Sequence, residues 1–482
     1  MFKTGWIWRR PGDRAAIKRP KTAADNVSGD VRHSPNSDCG DLRQQTNCAD
    51  LQSQMRPQWF GCVATGNGLV VMLRRVAQVG LVLLLLVGAA LGGMLASDFF
   101  TRPKLPTYAG SATEPGSIVS AEHVGSYPPF VFSMLLSAAG VEQPIAISER
   151  PHLYRVSYWS RLADQPIKLS GLVAIPETKS PRGVVVWLHG TNDDRAASVS
   201  APNLNEGVAL SGAFAGGGYI YVAPDLPGLG ISTRAQTYLH NPSTIDATLD
   251  LLRAAETISS DAGRPWPNQL YVAGFSQGGH AAAAVSRELE RLDRPSWQLR
   301  AAAGIAGAYD LRNITFPFAL KGKSIGHAVY LTLVARSYAD TYGHPVQSLL
   351  TTEATQISDE FVLGKDVNAA RMRLPNDPRR IFQSDFLATY DAGQSHWFLE
   401  AMHDNSITSW APRSPYRAYY GEADQDVPPE DSVTFVRRAR ELGGNATAIP
   451  VGAVDHFGSV LRAVPQIRQW FDEMSSAGAA RK

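Results

Sequence analysis

The chain predicts an α/β fold: a mostly parallel sheet with helices on both faces and a mainly helical cap inserted late in the sequence. Three observations predict it. From about residue 152, short β-type runs alternate with helical patterns, as strands joined by crossover helices do. Two runs, "GVVVWLHG" (183–190) and "YIYVAPDLPG" (219–228), are apolar at consecutive positions, as strands covered on both faces are. Residues 312–415 then break the rhythm with about 100 mainly helical positions.

Element by element, "YRVSYWSR" (154–161) and "IKLSGLVAIP" (167–176) flank "LADQP" and read as an antiparallel hairpin. The apolar runs at 183–190 and 219–228 follow, then a helix over about 243–259. "QLYVAGFS" (269–276) is the next strand and "GGHAAAAVSRELERL" (278–292) its helix. "RAAAGIAGAYD" (300–310) is a strand of small residues. After the insertion come "YRAYYGEAD" (416–424), the helix "PEDSVTFVRRARELG" (429–443) and "ATAIPVGAVDH" (446–456). The expected organisation is a core over 151–311, a cap over 312–415, a second core segment over 416–475 and a tail over 476–482. A cap over the sheet's C-terminal edge is the main reading of the insertion; the alternative is an excursion away from the site.

Of the 482 residues, 44% are hydrophobic and 19% charged, a balance that suits a buried core. The net charge of +2 gives no global basic field for nucleic acid. The N-terminal region differs from the rest. Residues 1–75 carry twelve Lys/Arg against six Asp, and all three cysteines, Cys39, Cys48 and Cys62, precede residue 72. Their spacing fits no zinc or disulfide pattern. The 21 residues 76–96, "VAQVGLVLLLLVGAALGGMLA", contain no charge and follow Arg74 and Arg75. This pattern predicts a secretion signal or retained anchor, long enough to tether the chain to a membrane. The arginines would keep their side cytoplasmic and leave the body secreted, periplasmic or anchored outside. Met72 is then the expected start, with 1–71 an unstructured or mis-assigned extension and 72–97 the signal. Residues 98–150 read as linker and lead-in, because 97–120 are rich in Pro, Ser, Gly and Thr.

The chemistry centres on "GFSQGGH". Ser276 lies between Gly274 and Gly278, after a strand and before a helix. G-x-S-x-G in that context is a nucleophile elbow, whose glycines let strand and helix approach and lift the serine above the sheet. A serine hydroxyl needs a base. His456, in "AVDHFGS", is the only histidine beyond residue 403 and follows the last expected strand. The acid should follow "YRAYY"; Glu422, Asp424 and Asp426 are the candidates. Asp424 is favoured because it lies where the strand exits, four residues before Pro428. Asp455 adjoins His456 on what is expected to be the opposite strand face. An oxyanion needs two donors. These are expected to be the backbone N–H groups of Gln277 and Thr191, with His189 and Gly190 shaping the Thr191 loop. His280 is assigned to packing. No metal cluster or phosphate-cradling loop is expected. "APDLPGLG" (223–230) lacks the Lys and Ser/Thr of a P-loop.

These segments together resemble the α/β-hydrolase superfamily, and within it the secretory lipase and bacterial serine esterase branch. The resemblance covers about 150–310 and 415–475. It implies carboxylic ester hydrolysis through an acyl-enzyme and a lid near the site; the expected substrate is a small-molecule or lipid ester, with no cofactor and no metal expected. Ser276, Asp424 and His456 match the triad positions; Thr191 and Gln277 match the oxyanion positions. Two other functions stay open: a serine peptidase or acyltransferase on the same residues, and a non-catalytic binding protein on this fold.

Overall fold

A computed structural model describes residues 102–479 except 109–111, 293, 323 and 365. The expectations for 1–71, for the signal at 72–97 and for the tether at 76–96 fall outside the described residues. Among the described residues, no helix is long and apolar enough to cross a membrane.

Among the described residues, nine strands form one sheet: β1 (Ile118–Ser126), β2 (His152–Leu162), β3 (Gln165–Ile175), β4 (Val184–Leu188), β5 (Ile220–Pro224), β6 (Gln269–Phe275), β7 (Gln298–Ile305), β8 (Tyr416–Tyr420) and β9 (Ala446–Pro450). Their spatial order is β1-β2-β3-β5-β4-β6-β7-β8-β9. β1 to β3 run antiparallel, β3 pairs antiparallel with β5, and β4 to β9 are parallel. The inner strands alternate between two cores. Val184, Val186 and Leu188 face one, with the helices Asn241–Asp261, Gln277–Leu292 and Pro429–Glu441. Val185 and Trp187 face the other, with the helices Pro129–Ala139, Glu206–Phe214 and His456–Ala479. Burial on both faces is why these strands read as unbroken apolar runs.

Three local features differ from the sequence reading. The β2–β3 hairpin is tighter than "LADQP" suggests. Leu162 pairs with Gln165 across a two-residue turn in which Ala163 and Asp164 take φ of 47° and 63°. Two left-handed residues match the twist of the flanking strands. The segment read as linker and lead-in contains β1 and the helix Pro129–Ala139. β1 is an edge strand with Ile118 its one buried residue, so it lacks the apolar pattern that marks a covered strand. The last strand ends at Pro450, and residue 456 opens a helix instead of closing a strand.

Between β7 and β8, a short π turn (Leu311–Thr315) leads into helices that include Phe316–Lys321, Ile325–Tyr342, Thr352–Leu363, Ser384–Asp391 and Trp397–Asn405. They bury an apolar cluster of their own. Tyr238, Leu239, Ala308 and Val427, from loops beyond the C-terminal ends of the strands, belong to it. This shared cluster fastens the insertion over that edge of the sheet.

Asp431 helps hold the junction. It is fully buried and accepts the Asp310 N–H at 2.9 Å and the Thr315 hydroxyl at 2.6 Å. Burial pushes its carboxyl up to about 7, against the pull of those hydrogen bonds. A folded-state value above the ordinary one means that the protonated form favours the fold. That contribution is complete below about pH 4 and is lost as pH rises through about 7. The Tm of the wild type minus that of D431N should therefore fall by several degrees between pH 5 and pH 8. Thermal melts giving the same difference at both pH values would contradict this assignment.

Candidate active site

Ser276 follows the last residue of β6 and takes φ 57°, a left-handed conformation that strains a non-glycine residue. Its backbone is held on both sides. Its N–H donates to Ile305 O at 2.8 Å, and its carbonyl accepts from Gly279 N at 2.8 Å and His280 N at 3.1 Å. The flanking glycines are steric requirements. A Cβ on Gly278 would fall on the Leu188 carbonyl, and one on Gly274 on the Gly278 carbonyl. Helix and strand thus meet backbone to backbone, and the serine side chain is left to project.

His456 Nε2 lies 2.9 Å from Ser276 Oγ, and its Nδ1 lies 2.7 Å from Asp424 Oδ2. Asp424 has its other oxygen filled by backbone: Oδ1 accepts from Asp426 N at 2.9 Å and Val427 N at 3.0 Å. All three side chains are buried. Burial disfavours a charged imidazole, but Asp424, with help from Asp426 and Asp455, outweighs it and holds His456 above its usual value. With Nδ1–H donated to Asp424, Nε2 is free to accept the serine proton.

The sequence candidates therefore separate. Asp424 faces the imidazole, Glu422 is exposed, and Asp426 is half-buried. Asp455 is outside the strand; its carboxylate accepts Gly458 N–H at 2.7 Å in the first turn of the final helix. Asp424, Asp426 and His456 bring three ligand-type atoms within 4.8 Å of one another. Asp424 and His456 already spend theirs on each other, on backbone N–H groups and on Ser276, which suits proton transfer better than metal ligation.

Gln277 is the first residue of its helix, so its N–H is among those a helix cannot satisfy internally. Thr191 follows β4, and its hydroxyl hydrogen-bonds the Tyr238 hydroxyl at 2.7 Å. His189 shapes this loop: its Nδ1 lies 2.7 Å from Gly190 O, and its Nε2 accepts Leu226 N–H at 3.4 Å. Burial lowers the His189 pKa, which keeps the ring neutral for both contacts. His280 points away from the reacting atoms. Its nitrogens lie 2.7 Å from Ala308 O and 2.8 Å from Asn241 Oδ1. Asn241 in turn donates to Asn405 at the end of the insertion.

A mostly apolar cavity of about 50 Å³ adjoins Ser276 and Gln277. Its other walls include Phe316, Leu331 and Met402 from the insertion, and Tyr238 and Asp426 from the core. Sequence reasoning missed Tyr238 and Met402, because no local motif marks a wall assembled from distant segments. A larger groove, about 1260 Å³, lies between the β2–β3 turn and the end of the helix Ile325–Tyr342; none of Ser276, Asp424 and His456 lines it.

No protein-family model and no curated protein sequence matches the chain. Solved structures do. A Legionella pneumophila protein provisionally described as a hydrolase superposes with TM-score 0.67 at 21% identity, over 74% of this chain and 98% of that one. A mutant of the rice cell wall degrading esterase LipA from Xanthomonas oryzae gives 0.65 at 22%, over 75% and 99%. Candida antarctica lipase A in its closed state gives 0.57 at 14%, over 78% and 86%. At these identities the likeness shows the fold alone: the chain has the α/β-hydrolase fold.

Substituting Gly278→Ala should disrupt the elbow. The new methyl group meets backbone that cannot rotate away, a mismatch of about 1–3 kcal/mol. Tm should fall by several degrees; an unchanged Tm would contradict the close-approach argument.

Proposed function

On this α/β-hydrolase fold, we propose that the protein is an exported serine carboxylic ester hydrolase acting through an acyl-enzyme. The single observation that carries the reading is the continuous Asp424–His456–Ser276 hydrogen-bond chain at the C-terminal edge of the sheet. The esterase and lipase named among the solved structures agree with it. Export rests on the sequence alone, on the apolar run at 76–96 after two arginines.

The steps follow from the geometry. Ser276 Oγ attacks the ester carbonyl while His456 Nε2 takes its proton. The Gln277 and Thr191 N–H groups hold the developing oxyanion, an interaction for which losing one donor costs about 3 kcal/mol in the barrier. Asp424 stabilises the imidazolium without taking its proton. Collapse breaks the bond to the alcohol, which leaves with the proton from His456. Water then adds to the acyl-enzyme by the same route, releasing the acid and restoring Ser276.

The test uses p-nitrophenyl esters beside aminoacyl p-nitroanilides. Esters should be turned over well above anilides, and Ser276→Ala should lose the activity by at least about 10³-fold. Anilide turnover exceeding ester turnover would move the assignment to a peptidase.

The rate should rise with pH, because neutral His456 is the base. The midpoint should lie above the unperturbed value of about 6.5, since the carboxylates hold the proton on. D424N should lower the rate by about 10⁴-fold and move the midpoint to lower pH. A profile flat from pH 5 to 8 would count against His456 as base.

A further inference from the structure

The cavity beside Ser276 has a size, a rigidity and a charge that narrow the substrate. This step rests on the ester-hydrolase reading above. The alcohol of an ester must depart to solvent after the first step, whereas the acyl group stays on Ser276. A covered cavity that adjoins Ser276 and Gln277 therefore suits the acyl group.

Its volume is about 50 Å³. A cavity of that size holds a few water-sized groups and no more. Of the walls contributed by the insertion, Phe316, Ala319, Leu331, Val334 and Met402 are apolar, and Thr315 and Tyr330 add hydroxyl groups. Phe316 is not free to swing aside. It is 2% exposed, and its ring sits edge-on to Phe382, Phe386, Tyr390 and Phe398 at centroid separations of 6.0, 6.3, 5.3 and 5.8 Å. A longer chain would have to displace that whole cluster.

Asp426 lines the same cavity. Its backbone N–H serves Asp424, but among the described residues its carboxylate has no hydrogen-bond or ion-pair partner. It lies near the start of the helix Ile325–Tyr342, where a Cβ on Gly326 would be 3.6 Å from Oδ1. An acyl chain ending in a carboxylate would meet like charge across a mostly apolar cavity.

We propose that this cavity is a short acyl pocket: the enzyme takes esters of uncharged acyl groups of about two to four carbons, with Phe316 as the fixed wall and Asp426 as the barrier to anionic acyl groups.

The test is a kcat/KM series on p-nitrophenyl acetate, butyrate, octanoate and hydrogen succinate. Butyrate should exceed octanoate by at least about tenfold, the discrimination a tight apolar pocket gives over surplus methylenes. Butyrate should exceed hydrogen succinate by a similar factor. F316A should raise the octanoate-to-butyrate ratio. If F316A does not fold, Ala319→Leu serves in its place, and should lower the butyrate-to-acetate ratio. D426N should raise the succinate-to-butyrate ratio. Octanoate turned over as well as butyrate by the wild type, or ratios unmoved in folded variants, would overturn the pocket while leaving ester hydrolysis standing. No turnover of any ester, acetate included, would overturn both.

Discussion

The site depends on one backbone constraint, the left-handed conformation of Ser276. A single L-residue held there carries roughly 1–2 kcal/mol of strain, and the surrounding structure has to impose it. Here the imposition comes from three sides: Ile305 of the neighbouring strand takes the serine N–H, the following helix closes on its carbonyl, and Leu188 of the strand on the other flank abuts Gly278. Any side chain at Gly278 would hold these parts apart. The same turn has two outcomes. It projects the hydroxyl above the sheet, and it starts a helix whose first N–H, on Gln277, has no partner within the helix.

Asp424 and His456 reach Ser276 from loops that are tied to each other. Glu422 N donates to Gly452 O at 2.9 Å and Ala423 N to Val454 O at 3.1 Å, so the loops after β8 and β9 move as one. Asp424 is then pinned by two backbone donors on one oxygen while the other meets His456. Such pre-set geometry leaves little to reorganise when charge develops on the imidazole. The insertion completes the site from above. Its link to the helix after Ser276 runs through His280, Asn241 and Asn405, so the buried histidine one turn after Ser276 has its ring nitrogens engaged in fastening the insertion.

Much of this was legible in the sequence, for identifiable reasons. The parallel strands bury both faces, so Val184 to Leu188 and Ile220 to Pro224 announce themselves as continuous apolar runs. The elbow is legible because only glycine tolerates the contacts at 274 and 278. Asp424 could be preferred over Asp426 from its place relative to Pro428, although only the fold distinguishes the carboxylate that meets the imidazole from the one that faces the cavity. β1 was hidden because an edge strand with one buried residue has no apolar alternation to read. The hairpin turn was overestimated because Ala163 and Asp164 lack the glycine that usually marks a left-handed pair. The cavity could not be read at all: its walls come from segments spanning residues 238 to 427, and no local pattern records that they meet.

The central claim is that His456 makes the Ser276 hydroxyl a nucleophile. Labelling with a fluorophosphonate, followed by peptide mapping, addresses it most directly. The account predicts one adduct, on Ser276, formed rapidly in the wild type and at least about a thousandfold more slowly in a folded His456→Ala variant. Modification of a different serine, or of Ser276 at the same rate without the imidazole, would contradict it.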